Sequence, residues 1–210
     1  MRARTLSLSM LAAASLAACG RADLPLTGAD AAPARAVAAA AAPICVNFNV
    51  PPVGALFGAP VGTVPGSVVW VENGIPVSVH KFLQSTGAFS FNWMRIEPAP
   101  AAFTLAAGNT GHTNNINAGF NFTGLPFIPT KVTFHFLHLG GYENLSVNGS
   151  PLVVTLLTPP PTPIGGVNAA AVWAGVPGGV QGTVTLSGGP VKSLIVGGQE
   201  FWLDDVCAYP

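Results

Sequence analysis

The chain has 210 residues, half of them hydrophobic and only 8% charged, with a formal net charge of zero. About 25% charged is usual for a soluble domain, so Ser, Thr, Asn, Gln, Gly and backbone must cover the surface. No basic stripe is present, which argues against nucleic acid as a partner, and 25 Gly with 20 Pro argue against long helices.

The chain opens on Met1-Arg2-Ala3-Arg4, a basic segment, followed by a short apolar run rich in Leu and Ala. That run is too short to span a bilayer and reads as a secretory signal over residues 1–18. It ends Leu16-Ala17-Ala18-Cys19-Gly20, which closely resembles the lipobox of bacterial lipoproteins. The resemblance implies cleavage before Cys19 and attachment of lipid to its thiol and to the new amino group. Several acyl chains anchor stably where one is marginal, so the membrane becomes a partner through the N-terminal lipid. Gly20 stands where an aspartate would retain the product at the inner membrane, so the resemblance implies the outer one. Residues 19–43, Ala-rich with scattered Pro, Asp and Arg, read as the lipidated cysteine and a flexible tether.

With Cys19 lipidated, Cys45 and Cys207 remain, an even pair in an exported protein. They lie in the first and last strands of the domain, residues 44–210, and their pairing places those strands side by side.

Alternating Val, Phe, Thr and Ile between Gly, Pro and Asn clusters give the strand signal throughout this domain. Residues 67–72 and 75–82 form a hairpin about Asn73-Gly74, a type I′ turn signal. Residues 88–96 alternate, with Phe89, Phe91, Trp93 and Arg95 on one face. Residues 115–122 alternate again, and 131–139 form the strongest strand. A second hairpin turns at Asn148-Gly149, and Thr158-Pro159-Pro160-Pro161-Thr162-Pro163 is a stiff connector. Strands at 167–173, 180–186 and 191–196 lead to the last one, Gly197-Gly198-Gln199-Glu200-Phe201-Trp202-Leu203-Asp204-Asp205-Val206-Cys207. The fold class is all-β, an antiparallel two-sheet β-sandwich or jelly roll with first and last strands adjacent. An outer-membrane barrel is the rival, disfavoured by short, Pro-interrupted runs. Gly140-Gly141-Tyr142-Glu143 echoes Gly197-Gly198-Gln199-Glu200, which suggests two equivalent turns at one end of the sandwich.

Carboxylates are scarce. In a strand Asp204 and Asp205 point to opposite faces, so one of them turns inward and needs a partner. Calcium, which takes carboxylate, amide and backbone oxygens, is one such partner, with Asn47 and Asn49 on the disulfide-bridged strand supplying amide oxygens. Backbone N–H groups or an arginine are the alternative.

Phe201-Trp202-Leu203-Asp204-Asp205-Val206 is similar to the closing strand of jelly-roll carbohydrate-binding modules of the galactose-binding-like type. The resemblance implies a structural Ca²⁺ on Asp204 and a polysaccharide or glycan as partner. It covers this strand and the general strand count. The opening strand of those modules often carries an acidic ligand, where this chain has Asn47 and Asn49.

Sugar rings pack on aromatic planes. Trp93, beside Arg95, and Tyr142, in a turn beside Glu143, are the aromatic residues best placed for exposure, with Asn114, Asn115 and Asn117 as a polar patch. The other tryptophans read as core. His135 and His138 face opposite ways and share no zinc. No Gly-x-Ser-x-Gly elbow and no His-Glu zinc motif occurs, and Glu143 with Glu200 is the only carboxylate pair the echo suggests for a glycan hydrolase. The expectation is a non-catalytic, lipid-anchored envelope protein that binds carbohydrate. A structural or protein-interaction lipoprotein is the alternative, and a glycan hydrolase the third reading.

Overall fold

The computed structural model describes residues 41–210; the signal, Cys19 and most of the tether lie outside the described residues. Thirteen strands build the domain, and every pairing between them is antiparallel. In chain order they are β1 Ile44–Val46, β2 Leu56–Gly58, β3 Val68–Glu72, β4 Ile75–Leu83, β5 Phe89–Ser90, β6 Trp93–Pro98 and β7 Asn109–Asn114. There follow β8 Ile116–Asn121, β9 Lys131–Val147, β10 Val153–Thr155, β11 Asn168–Val176, β12 Gly179–Ser187 and β13 Ser193–Tyr209.

Two strands of 17 residues, β9 and β13, pair along their whole length and carry the rest. The main path runs β11-β12-β9-β13-β7-β6-β2. Beyond the midpoint of the two long strands the neighbours change. β13 leaves β7 for β8, which pairs with β4 and so with β3, and β9 leaves β12 for β10.

That midpoint is where the sequence echo lies. Gly198 faces Glu143 and Gly140 faces Glu200 across the β9–β13 ladder, with register shifts on either side of Glu200. The two Gly-Gly-x-Glu runs are therefore not end turns. They are two mid-strand bends paired with each other, and they also fuse segments that read as separate strands. Glycine is required at this crossing. A Cβ on Gly197 would collide with the Ile116 carbonyl oxygen, one on Gly198 would sit 2.6 Å from the Phe201 Cβ, and Gly141 has φ +80°.

Alternate residues of both halves point into one core. Val77, Val79, Ala118, Phe120, Leu194 and Val196 meet Phe134, Phe136, Val184, Leu203 and Val206 in a single buried cluster. The alternation that announced 131–139 thus buries Val132, Phe134 and Phe136. A smaller cluster of Phe103, Leu137 and Trp202 lies on the other face, under the β6–β7 loop at 99–108.

Both Asn-Gly sites have the positive φ their turns require, 50° and 82° at Asn73-Gly74 and 53° and 75° at Asn148-Gly149. The stretch 88–96 breaks at Asn92, so Phe91 packs on the core while Trp93 and Arg95 face out, and the four residues do not share one face. β7 lies in a stretch without strand signal, because Thr110, Gly111 and Thr113 fill its buried positions.

β1 pairs with the end of β13 so that Cys45 stands directly opposite Cys207, and the two form a disulfide. It closes a loop spanning a sequence separation of 162. Replacing both cysteines by alanine is expected to lower the unfolding free energy by up to about 5 kcal/mol in urea titrations. At the bend, Gly197→Ala is expected to cost about 1–3 kcal/mol by overpacking, whereas Gly124→Ala, where φ is not positive and the nearest atom lies 3.9 Å from the added Cβ, is expected to cost less in the same titration.

Candidate functional site

Asp204 and Asp205 sit in a β-bulge. The ladder passes from Asp204↔His135 to Cys207↔Thr133, one residue too many on β13, and Asp205 takes the left-handed conformation with φ 46°. Asp204 is fully buried beneath the 99–108 loop. Its Oδ2 accepts the Ala107 N–H at 3.0 Å and its Oδ1 the Asp205 N–H at 2.8 Å. Burial pushes its carboxyl up to about 7, with smaller upward contributions from the Asp205 and Glu72 charges, and the two N–H donors pull the other way.

Glu72, also buried, is the acid that stands near the opening strand. Its Oε1 accepts the Asn47 and Asn49 N–H groups at 3.1 and 3.4 Å, and its Oε2 accepts Trp70 Nε1–H at 3.3 Å. Asn47 and Asn49 thus bring N–H groups, not oxygens, to the nearest carboxylate. Calcium takes about six to eight oxygens, and both carboxylates here are met by N–H donors. Among the described residues no three His, Cys, Asp or Glu side chains converge as a metal centre. Both carboxylates are thus met by N–H donors, the alternative to a cation for an inward aspartate. Asp204 pins the 99–108 loop over Trp202.

That loop frames an outward cluster. Trp202 Nε1–H donates to Glu97 Oε1 at 2.6 Å, the His112 ring stacks on Trp202 with centroids 3.8 Å apart, and Trp93 meets His112 edge-on at 4.9 Å. Glu97 Oε1 also lies 2.9 Å from His112 Nδ1, but neither ring nitrogen has a hydrogen-bond partner, so the contact is electrostatic. Burial lowers the His112 pKa, and the Glu97 charge opposes that shift. The exposed Arg95 guanidinium lies 5.1 Å from the Trp93 ring centroid.

From Trp93 a strip of amides continues across the bend. Asn114, its cross-strand neighbour, accepts from Asn92 Nδ2 at 3.3 Å and from Asn115 Nδ2 at 3.0 Å. Asn115 Oδ1 accepts from Gln84 Nε2 at 3.1 Å and from Gln199 Nε2 at 3.3 Å. Gln84 Oε1 accepts the Tyr142 hydroxyl at 2.7 Å. Every one of these side chains is partly or fully exposed. Residues from five separate segments, around 84, 92–95, 114–115, 142 and 199, therefore form one surface.

Three expected site residues are placed differently. Tyr142 lies at the bend, partly exposed, with one face of its ring stacked on Phe82 at 5.5 Å and its hydroxyl held by Gln84 and Ser85. Glu143 is buried, facing His138 Nδ1 and accepting the Leu157 N–H at 3.3 Å, and contributes nothing to a surface site. Asn117 is buried and donates to the Lys81 carbonyl and to Asn144. Gln84, Asn92 and Gln199 were missed because isolated amides carry no sequence signal.

A separate cavity of about 380 Å³ is lined by Ser78, His80, Gly119 and Lys192 among others. The Ser78 hydroxyl donates to the Gly119 carbonyl at 3.3 Å, which leaves His80 Nε2–H as donor to Ser78 Oγ at 2.8 Å. That is the reverse of a histidine that takes a serine proton.

No family model, curated protein or solved structure matches the chain.

The buried Asp204 has a testable signature. A carboxyl whose pKa is higher folded than unfolded adds stability below its unfolded value of about 3.8, and that stability is lost as pH rises through about 7. The thermal midpoint is expected to fall between pH 4 and pH 7, by the equivalent of at most about 4 kcal/mol, and Asp204→Asn is expected to flatten that fall. Excess chelator is expected to leave the wild-type midpoint unchanged. A drop on chelation would show that a cation holds Asp204.

Proposed function

We propose that this protein is a non-catalytic lipoprotein of the cell envelope, anchored through Cys19, whose β domain binds glycans on the outward strip running from Arg95 and Trp93 to Gln199 and Gln84. One observation carries the reading: an aromatic ring, a guanidinium and an unbroken run of amide side chains share one solvent-facing surface. Amides offer both donors and acceptors, the inventory that vicinal sugar hydroxyls require. Trp93 supplies an apolar plane beside them, and Arg95 suits an acidic substituent. The leader ending in Leu16-Ala17-Ala18-Cys19 supports export and anchoring, and the Cys45–Cys207 bond accords with an oxidising compartment.

The same proposal takes the fold as a two-layer sandwich of the jelly-roll kind. Support comes from β9 and β13, which bend at paired Gly-Gly sites and exchange neighbours there, and from the shared core of the two halves. A hydrolytic role gains no support, since Glu143, one of the two carboxylates considered for it, is buried against His138 and the Leu157 N–H.

A second reading, a structural or protein-interaction role, is favoured by exposed apolar residues, above all Val172 and Trp173 on β11.

The test is titration of the full chain in detergent micelles against a panel of neutral and acidic oligosaccharides. At least one is expected to bind, and Trp93→Ala and Asn114→Ala are each expected to weaken it tenfold or more with the thermal midpoint retained. Binding that survives both substitutions, or no binding by any oligosaccharide, would overturn the proposal.

A further inference from the structure

β11 is a terminal strand of the sheet, and among the described residues it pairs with β12 alone. It runs nine residues, Asn168–Val176, in unbroken register with β12. Natural edge strands are protected by charge, proline, bulges or a covering segment. β11 has no charge, no proline and no bulge, and no Asp, Glu, Lys or Arg occurs from Asn144 to Val191. Val172 is 81% exposed and Trp173 51%.

The backbone defines what fits the edge. β11 and β12 are joined by the two-residue turn Pro177-Gly178, so the flanking pair Val176↔Gly179 is hydrogen-bonded and even-numbered residues of β11 bond to β12. Odd-numbered residues then turn their N–H and C=O groups outward. The Ala169 N–H accords with this, since it donates to Thr162 Oγ1 at 3.1 Å. The connector covers that first rung and, among the described residues, leaves the rungs at Ala171, Trp173 and Gly175 open.

We infer that β11 is the seam of a homodimer, pairing antiparallel with β11 of a second copy about a two-fold axis at Val172. This register follows from the strand itself. An axis at Val172 sets Ala171 opposite the second copy's Trp173, and Trp173 opposite its Ala171. Both are odd-numbered, so each pair exchanges two backbone hydrogen bonds on the open rungs. Each bulky indole also faces a methyl group on the same sheet face. Trp173 already lies opposite Gly182 of β12, where a Cβ would come within 2.9 Å of both the Trp173 Cβ and the Phe136 ring. The indole is thus flanked by small residues on both sides. An axis at Trp173 would instead oppose two indoles. Self-pairing also suits the charge: a partner strand with charged side chains would find no counter-charge along 144–191, whereas a second β11 brings none.

Single-cysteine cross-linking in the full chain in detergent micelles tests both the dimer and its register. With the axis at Val172, the two Val172 residues form a non-hydrogen-bonded pair with Cα atoms about 4.5 Å apart, close enough for a disulfide. Residue 170 lies opposite 174 of the other copy and about 14 Å from its own counterpart. Under mild oxidation Val172→Cys is expected to give a covalent dimer on non-reducing gels at least tenfold faster than Ala170→Cys or Ala174→Cys. Adding Trp173→Lys, which leaves the β12 ladder intact, is expected to abolish that cross-link. Equal rates at the three positions, a faster rate at 170 or 174, or no cross-link at 172 would overturn the inference. The outcome is independent of glycan binding, because the strip contains no β11 residue.

Discussion

The β9–β13 ladder is the constraint on which the rest depends. Two strands of 17 residues run antiparallel for their whole length, and each bends at a Gly-Gly that faces the Glu of the other. A straight sheet of this length would leave one apolar face wet. The segments on either side of that crossing bury their apolar residues in one shared core, so the hydrophobic effect and the ladder hydrogen bonds are satisfied together. The bend also sets chemistry at its rim. Gly197, with no side chain, lets Asn144 reach over to Asn117 and to the Leu83 backbone, whose N–H and C=O it meets at 2.6 and 3.0 Å. Gln199 and Tyr142, adjoining the same glycines, are the far end of the amide strip.

With so few charges, the domain handles its buried carboxylates by surrounding them with donors. Glu72 receives two backbone N–H groups and an indole N–H, Asp204 two backbone N–H groups, and Glu143 a backbone N–H and a histidine. Each thereby fixes a loop that has little packing of its own. Glu72 holds residues 47–49, Asp204 holds the end of the 99–108 loop, and Glu143 holds the start of the connector at Leu157. The carboxylates act as clamps on irregular backbone, which an all-β domain rich in Gly and Pro has in abundance. A buried acceptor and a buried N–H each solve the other's desolvation problem.

Much of this was legible in the sequence wherever one residue type has one physical use. Asn-Gly at 73 and 148 allows little but a tight turn, alternation over 131–139 allows little but a half-buried strand, and Cys45 with Cys207 forms the expected disulfide. Legibility failed where a residue type has two uses. Gly-Gly serves a turn or a bend within a strand, and only the partner strand decides which. β7 was silent because Thr and Gly fill inward positions at a crowded crossing, where a Cβ on Gly111 would come within 2.6 Å of Met94 and Phe48. An inward aspartate can seek a cation or an N–H group, and the 99–108 loop that supplies the Ala107 N–H has no periodicity from which to foresee it. Trp93 and Arg95 were placed together correctly by alternation. The partners of Tyr142 were not legible, because they come from β4 and the turn that follows, far away in sequence.

The two surfaces proposed here stand at separate positions along one sheet, and that separation has a consequence. The path β11-β12-β9-β13-β7 puts four strand spacings, about 19 Å along the sheet, between the free edge and β7, which carries Asn114 beside Trp93. Edge-to-edge pairing through β11 therefore buries no strip residue and places two strips on one rigid body, related by the two-fold axis. A repeating polymer is the ligand class for which that matters. Each strip by itself is a surface of partly exposed side chains, suited to weak contact. Two held at fixed spacing make the second contact intramolecular and raise avidity by about 10²–10⁴ when the repeat spans both. Lipid anchorage would confine the pair to a plane and favour polymers lying along the envelope over free sugars in solution.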